Sequence, residues 1–229
     1  MNFFLKFPFF LINFKCFSEI IGNRSIIISK YAKEISNKLD VCIGVAPLIT
    51  DIKEISKIII TFAQSADPVE PGSYTGHIPI EAIKEAGAHG IIINHSEKRI
   101  EKEKIKFLIN KSRKMNIISL VCGISPEECL EISYFKPDII AIEPPELIGT
   151  GMSVSKYKPE SIKRTLELVK SHDKKIKVLC GAGISNKEDV KEALKLGSEW
   201  ILVASSIIRS QNPYEIIYEM AKVLKEYSW

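Results

Sequence analysis

Glu143 ends an apolar run, Ile139 to Ile142, and is followed by Pro144, Pro145 and a short stretch closed by Gly149 and Gly151. An apolar run of strand length that opens onto a carboxylate and then prolines puts the acid where a buried strand meets the surface. In parallel α/β folds, catalytic carboxylates sit at such strand ends. The prolines stiffen the chain just after Glu143, while the two glycines free its far end, which is the division of stiffness expected of a lid. A structural glutamate followed by an ordinary turn is the competing reading of this segment. Lys15, leaving the first apolar run through the alternation Leu11, Asn13, Lys15, can neutralise a phosphate or polarise an oxyanion, although a solvated lysine is the commoner fate. His95 is followed by Ser96-Glu97-Lys98-Arg99, a charged turn expected to begin a helix whose amides would keep the imidazole neutral. A lone histidine is more often structural. Gly181-Ala182-Gly183-Ile184-Ser185 and Ala204-Ser205-Ser206 are small-residue loops of the kind whose backbone amides hold phosphate.

The elements that must position these residues recur along the chain. Short runs rich in Ile and Val lie at Phe9 to Phe14, Val41 to Ala46, Ile58 to Ala63, Gly90 to Asn94, Ile117 to Cys122, Ile139 to Glu143, Lys177 to Cys180 and Trp200 to Ala204. Several are continuously apolar, as strands buried on both faces are. Helical spacing fills Ile26 to Leu39, Ile162 to Lys170, Val190 to Leu196 and Ile216 to Leu224. Ser125-Pro-Glu-Glu, Ser185-Asn-Lys-Glu and Asn212-Pro-Tyr-Glu read as helix starts with their caps, and Gly87 and Gly197 as terminators. About eight strand and helix pairs with right-handed crossovers close most naturally into an α/β (β/α)8 barrel. A doubly wound open sheet is the alternative, and Val41 to Ile80 fits the barrel least well, with a short helix (Asp51 to Ser56) and then a long loop. In a barrel the ends of the strands converge on one face, so Asn13, Lys15, His95, Glu143 and both small-residue loops share one mouth.

With 229 residues and 45% hydrophobic content the chain can bury one substantial core, and the repeating pattern favours one domain over residues 1–229. Its 32 basic and 28 acidic residues, interspersed and summing to +4, argue against a nucleic-acid surface. The five cysteines are scattered without a CxxC pair, so neither a disulfide framework nor a zinc site is expected, and a reducing cytoplasm fits best. The apolar run from Met1 to Ile12 is too short and too interrupted, by Lys6 and Pro8, for a membrane span, and reads as a first strand with a lead-in. A soluble protein is expected.

Beyond these separate signals, the sequence resembles triosephosphate isomerase in the shorter form found in archaea. The matching segments are Ile12-Asn13-Phe14-Lys15, Gly72-Ser-Tyr-Thr-Gly76, Asn94-His95-Ser-Glu-Lys-Arg99, Ala141 to Gly151 and Cys180-Gly-Ala-Gly-Ile-Ser185, in family order through almost the whole chain. The resemblance implies a TIM barrel and an enzyme that interconverts dihydroxyacetone phosphate and glyceraldehyde 3-phosphate without metal or cofactor. It implies that Asn13, Phe14 and Lys15 meet the substrate, that His95 is the electrophile and that Glu143 is the base. Pro144, Pro145, Glu146, Leu147, Ile148, Gly149, Thr150 and Gly151 would form the lid. The phosphate end would be held through backbone amides at Ile148, Gly183, Ala204 and Ser205. A homodimer or homotetramer is implied too, with Gly72 to Gly76 reaching a neighbour. One departure stands out: the family's usual glycine after the eighth strand is replaced, so that a Cβ at Ser206 bears on the phosphate space and on the φ required there, and the replacement is expected to be tolerated. The remaining readings are a different phosphate-binding barrel enzyme and a catalytically silent barrel that serves as an oligomeric binding module.

Overall fold

The computed structural model describes residues 8–144, 157–181 and 183–227. Eight parallel strands, each hydrogen-bonded to the next and β8 to β1, close into a barrel. They are β1 (Phe9–Asn13), β2 (Cys42–Ala46), β3 (Ile60–Ala63), β4 (Gly90–Ile93), β5 (Ile118–Gly123), β6 (Ile139–Ile142), β7 (Lys177–Cys180) and β8 (Trp200–Val203). Around them lie α1 (Asn23–Leu39), α2 (Ile52–Ile55), α3 (Ile80–Glu85), α4 (Lys102–Met115), α5 (Pro126–Ser133), α6 (Pro159–His172), α7 (Lys187–Lys195), α8 (Ser205–Ile208) and α9 (Pro213–Glu226). This is the (β/α)8 barrel, closed rather than an open sheet. Among the described residues no helix is long and apolar enough to cross a membrane.

Period-two alternation makes two cores from the same strands. Phe9, Leu11, Phe62, Ile92, Leu120, Ile139, Ala141, Leu179, Trp200 and Leu202 fill the barrel interior. Their neighbours Phe10, Ile12, Val121, Ile140, Ile142, Val178 and Ile201 face outwards and pack under the helices. In the interior, Phe9 and Trp200 have ring centroids 4.1 Å apart, and Phe62 lies 6.1 Å from Phe9 and 6.2 Å from Trp200. Three aromatic rings fit because two strands carry no side chain there. A Cβ at Gly44 would meet Phe9 Cζ at 2.7 Å, and one at Gly90 would collide with the Phe62 ring.

The expected helix starts hold at Ser125 and Asn212, whose side chains accept from the amides of Glu128 and Glu215. The third differs. Asn186, not Ser185, caps α7 by accepting from Asp189 N, while Ser185 turns its hydroxyl and amide to the Asp189 carboxylate at 2.8 and 3.0 Å. Three strands start later than the sequence suggests, for one reason. The amides of Val41, Ile58, Ile59 and Ile117 go back to the carbonyls of Ser36, Ile55 and Ser112 in the preceding helical turns, so these apolar residues close helices before the ladders begin. Asp40 and Asn116, both left-handed at φ 54° and 53°, terminate their helices as Gly87 and Gly197 do elsewhere.

Packing of this density has a measurable consequence. Trp200→Ala is expected to cost about 3–5 kcal/mol by chemical denaturation. Gly90→Ala should cost about 1–3 kcal/mol by overpacking, and Phe62→Leu in the same chain should recover part of that loss. If the double variant is no more stable than Gly90→Ala alone, the glycine does not serve the ring.

Candidate active site

At the C-terminal ends of the strands lies a cavity of about 310 Å³, lined by residues from β1, β4, β6, β7 and β8 and the loops that follow them. Among the described residues it gathers Asn13, Lys15, His95, Glu143, Gly183, Ala204 and Ser205, all expected to share this mouth. Phe14 is the exception. Its side chain is fully buried in the outer core under the helices, because it takes the opposite parity to Asn13, and it reaches this layer only through its backbone, donating to Ala46 O at 3.0 Å. Ile148 and the rest of the expected lid, Pro145 to Gly151, lie outside the described residues; Pro144 is within them.

Glu143 follows β6 in the inward-facing parity of Ile139 and Ala141, and its amide is fixed by Gly123 O at 2.8 Å. The side chain is wholly buried. Oε2 accepts a long bond from Ser96 N at 3.5 Å, and Oε1 has no hydrogen-bond partner among the described residues. Burial pushes the carboxyl above its ordinary value, against the pull of His95, the Cys122 thiol, the Ser96 amide and Lys15. The carboxylate also lies over Gly181, where a Cβ would meet Glu143 Cγ at 2.8 Å and Oε1 at 2.9 Å. Gly181 is therefore part of the site as an empty space, which the sequence shows only as a turn glycine.

His95 stands across from the acid, Nε2 to Glu143 Oε1 at 3.6 Å. Its setting differs from the expectation. The charged turn does not begin a helix there: Lys98 N closes a turn on His95 O at 2.7 Å, and α4 starts only at Lys102. One turn amide replaces the helix terminus, since Glu97 N donates to His95 Nδ1 at 3.1 Å. A ring nitrogen that accepts cannot carry a proton, so the neutral tautomer bears its N–H on Nε2, towards Glu143.

Lys15 and the residue before His95 are both in the left-handed region, at φ 50° for Lys15 and 62° for Asn94. Side chains hold them there. Asn13 Oδ1 accepts from Lys15 N at 2.9 Å, and Gln64 Nε2 donates to Lys15 O at 2.8 Å and Ala46 O at 3.0 Å. Asn94 donates to Cys122 O at 2.9 Å and accepts from Ile100 N at 3.0 Å. Local strain of this kind gathers at functional sites. The Lys15 ammonium pairs with Glu97 Oε1 at 2.7 Å. Glu97 thus enters the site from within a segment the sequence marked but with no role of its own, and Gln64, just past β3, supports it by holding the Lys15 carbonyl.

Ser206 is not in the left-handed region; it lies inside α8, the turn that Ala204 starts. No group of His, Cys, Asp and Glu side chains able to hold a metal occurs among the described residues. The arrangement thus offers a buried base, a hydrogen-bond donor opposite it, one ammonium and a cavity wall of small residues.

Comparison with known proteins gives the same direction. The family model for triosephosphate isomerase matches residues 8–220. A triosephosphate isomerase of Methanocaldococcus jannaschii is 45% identical over 216 residues, which cover 93% of this chain and 99% of that one. Those of Caldivirga maquilingensis and Pyrobaculum arsenaticum are 41% and 38% identical over 222 residues, each covering 96% of this chain and 99% of the relative. The chain belongs to the triosephosphate isomerase family.

Proposed function

We propose that this chain, an isomerase by family, interconverts dihydroxyacetone phosphate and D-glyceraldehyde 3-phosphate with Glu143 as the base, in glycolysis and gluconeogenesis. The observation that carries the reading is the buried Glu143 carboxylate, with one oxygen that has no hydrogen-bond partner among the described residues and lies 3.6 Å from His95 Nε2, the ring nitrogen opposite the one that accepts from Glu97 N. A carboxylate of raised basicity can take a proton from one carbon and return it to the next. The charge then builds on oxygen as an enediolate, and neutral His95, through Nε2–H, and the Lys15 ammonium are placed to meet it. Asn13 fixes the Lys15 backbone and faces the same cavity. The backbone at Gly183, Ala204 and Ser205, with Ile148, takes the phosphate, and Pro144 to Gly151 serve as the lid that keeps water from the enediolate. A glutamate base, a neutral histidine and a closing loop acting together are the known logic of triosephosphate isomerases in general, and this chain contributes the residues that would carry it. No cofactor enters this chemistry.

We propose further that the protein self-associates as a homodimer or homotetramer. The segment from Gly72 to Gly76 is exposed, with Tyr74 at 51%, and projects an aromatic side chain that a neighbour could cover. A cytoplasmic setting suits the five free cysteines. Light scattering reads the number of copies directly.

Glu143→Gln keeps the shape and removes the basic oxygen, so isomerase turnover should fall by at least about 100-fold. The fold should not suffer. Because the folded-state pKa of Glu143 is raised, ionising it costs stability, and that cost is absent at low pH and grows as pH rises through the raised value. The glutamine variant should therefore melt at the same or a higher temperature than the parent above neutrality, with the difference shrinking as pH falls. A variant that retains turnover, or loses it only by unfolding, removes Glu143 from the mechanism. The same shift places the acid limb of kcat/KM above pH 4.5, the ordinary value of the carboxyl, and a limb at or below that value would contradict it.

A further inference from the structure

The charges lining the cavity do not match its substrate. Among the described lining residues the cations are Lys15 and Arg209 and the carboxylates Glu97 and Glu143. Lys15 is already paired with Glu97 at 2.7 Å, and a phosphate ester brings close to two negative charges at neutral pH. Backbone amides at the loop ends supply dipoles but no net charge. Arg209 is then the cation left over, and it stands on the wall that also carries Ser205 and Phe17.

Its placement is built. The guanidinium lies over the Phe17 ring, 4.6 Å from its centroid, a cation–π contact that restrains the cation on one side. The chain on either side of it is gripped by a second arginine from far away in sequence. Arg24 Nη2, in the first turn of α1, donates to Ile208 O at 3.2 Å and Ser210 O at 2.6 Å, the carbonyls immediately before and after Arg209. The Arg209 side chain is 61% exposed, its Nε is 3.6 Å from Glu19 Oε1, and its terminal nitrogens make no hydrogen bond among the described residues. Glu19 does not line the cavity.

Resting on the reading that this site takes a phosphate ester, we propose that Arg209 is a substrate-recruiting cation, held at the mouth by Phe17 and by the Arg24 clamp and opposed by Glu19. It raises the local concentration of the dianion and favours phosphorylated over unphosphorylated trioses. The amides at Gly183 and Ser205 receive what it attracts. Glu19 sets the strength of the attraction by offsetting part of the charge.

The test compares the wild-type protein with Arg209→Gln, Arg209→Lys and Glu19→Gln, by kcat/KM for D-glyceraldehyde 3-phosphate across ionic strength and by calorimetric titration with inorganic sulfate. Arg209→Gln should lower kcat/KM at low salt by about 3- to 10-fold, mostly through KM, and converge on the wild type as salt screens the field. Sulfate affinity should fall in step. Arg209→Lys should keep most of the salt dependence, and Glu19→Gln should raise kcat/KM at low salt, a change of opposite sign that a merely structural pair would not give. Equal salt slopes in all four proteins, or sulfate affinity indifferent to residue 209, would overturn the role of Arg209 while leaving the isomerase reading in place. Sulfate binding that depends on Arg209 in a wild-type protein without isomerase turnover would do the reverse.

Discussion

A carboxylate buried without a full set of hydrogen bonds is expensive, and the rest of this mouth is arranged around that cost. Removing the Glu143 carboxylate from water disfavours its charge by more than the neighbouring donors return, and the raised pKa is the record of that imbalance. Filling the site with donors would make the acid comfortable and inert. Instead the Ser96 bond is long, Oε1 has no hydrogen-bond partner among the described residues, and the space beneath is kept by Gly181. The position of the carboxylate depends on β5 through Gly123, on β7 through Gly181 and on the turn after β4 through Ser96. Three strands must be in register before the fourth can hold its acid in the right place. The barrel provides that because closure leaves no edge along which a register could slip.

Most of the architecture was legible because strands buried on both faces read as continuous apolar runs, as Phe9 to Ile12 shows, with Phe9 and Leu11 turned inwards and Phe10 and Ile12 packed under the helices. Boundaries were less so. The run Ile58 to Ala63 is uniformly apolar, and only the return of the Ile58 and Ile59 amides to Ile55 separates its helical end from its strand. Polar left-handed caps escaped for a related reason: Asp40 and Asn116 look like ordinary surface residues, whereas glycines announce themselves. At α7 two adjacent residues, Ser185 and Asn186, were both able to cap, and the choice fell to Asn186 because Ser185 is committed to Asp189.

The gathering of Glu143, His95 and Lys15 at one mouth was readable because chemistry and spacing coincide there, and the contacts between residues remote in sequence were not. Nothing local says that Glu97 will meet an ammonium 82 positions earlier, or that Gln64 will hold the carbonyl of the same lysine. Arg24 and the segment around Arg209 are tied across 184 and 186 positions. The His95 environment was not foreseen in its cause. The expected helix dipole is absent, and a single turn amide from Glu97 fixes the tautomer in its place. At Ser206 the residue type raised a question of φ that only the structure answers, since the helical turn it belongs to keeps it out of the left-handed region, in keeping with the tolerance expected of it.

The aromatic cluster inside the barrel also makes the protein its own optical probe. Trp200 is one of two tryptophans in the sequence, and it is sealed in the interior against Phe9, three residues below the end of β8, or about 10 Å from the mouth. An indole in that dry setting emits at short wavelength and shifts red only when water enters the barrel. Replacing Trp229 by phenylalanine would leave a single tryptophan, excited apart from the seven tyrosines at long wavelength, whose colour follows the closed cylinder and ignores what happens at its rim. Opening of the barrel could then be followed without interference from occupancy of the site.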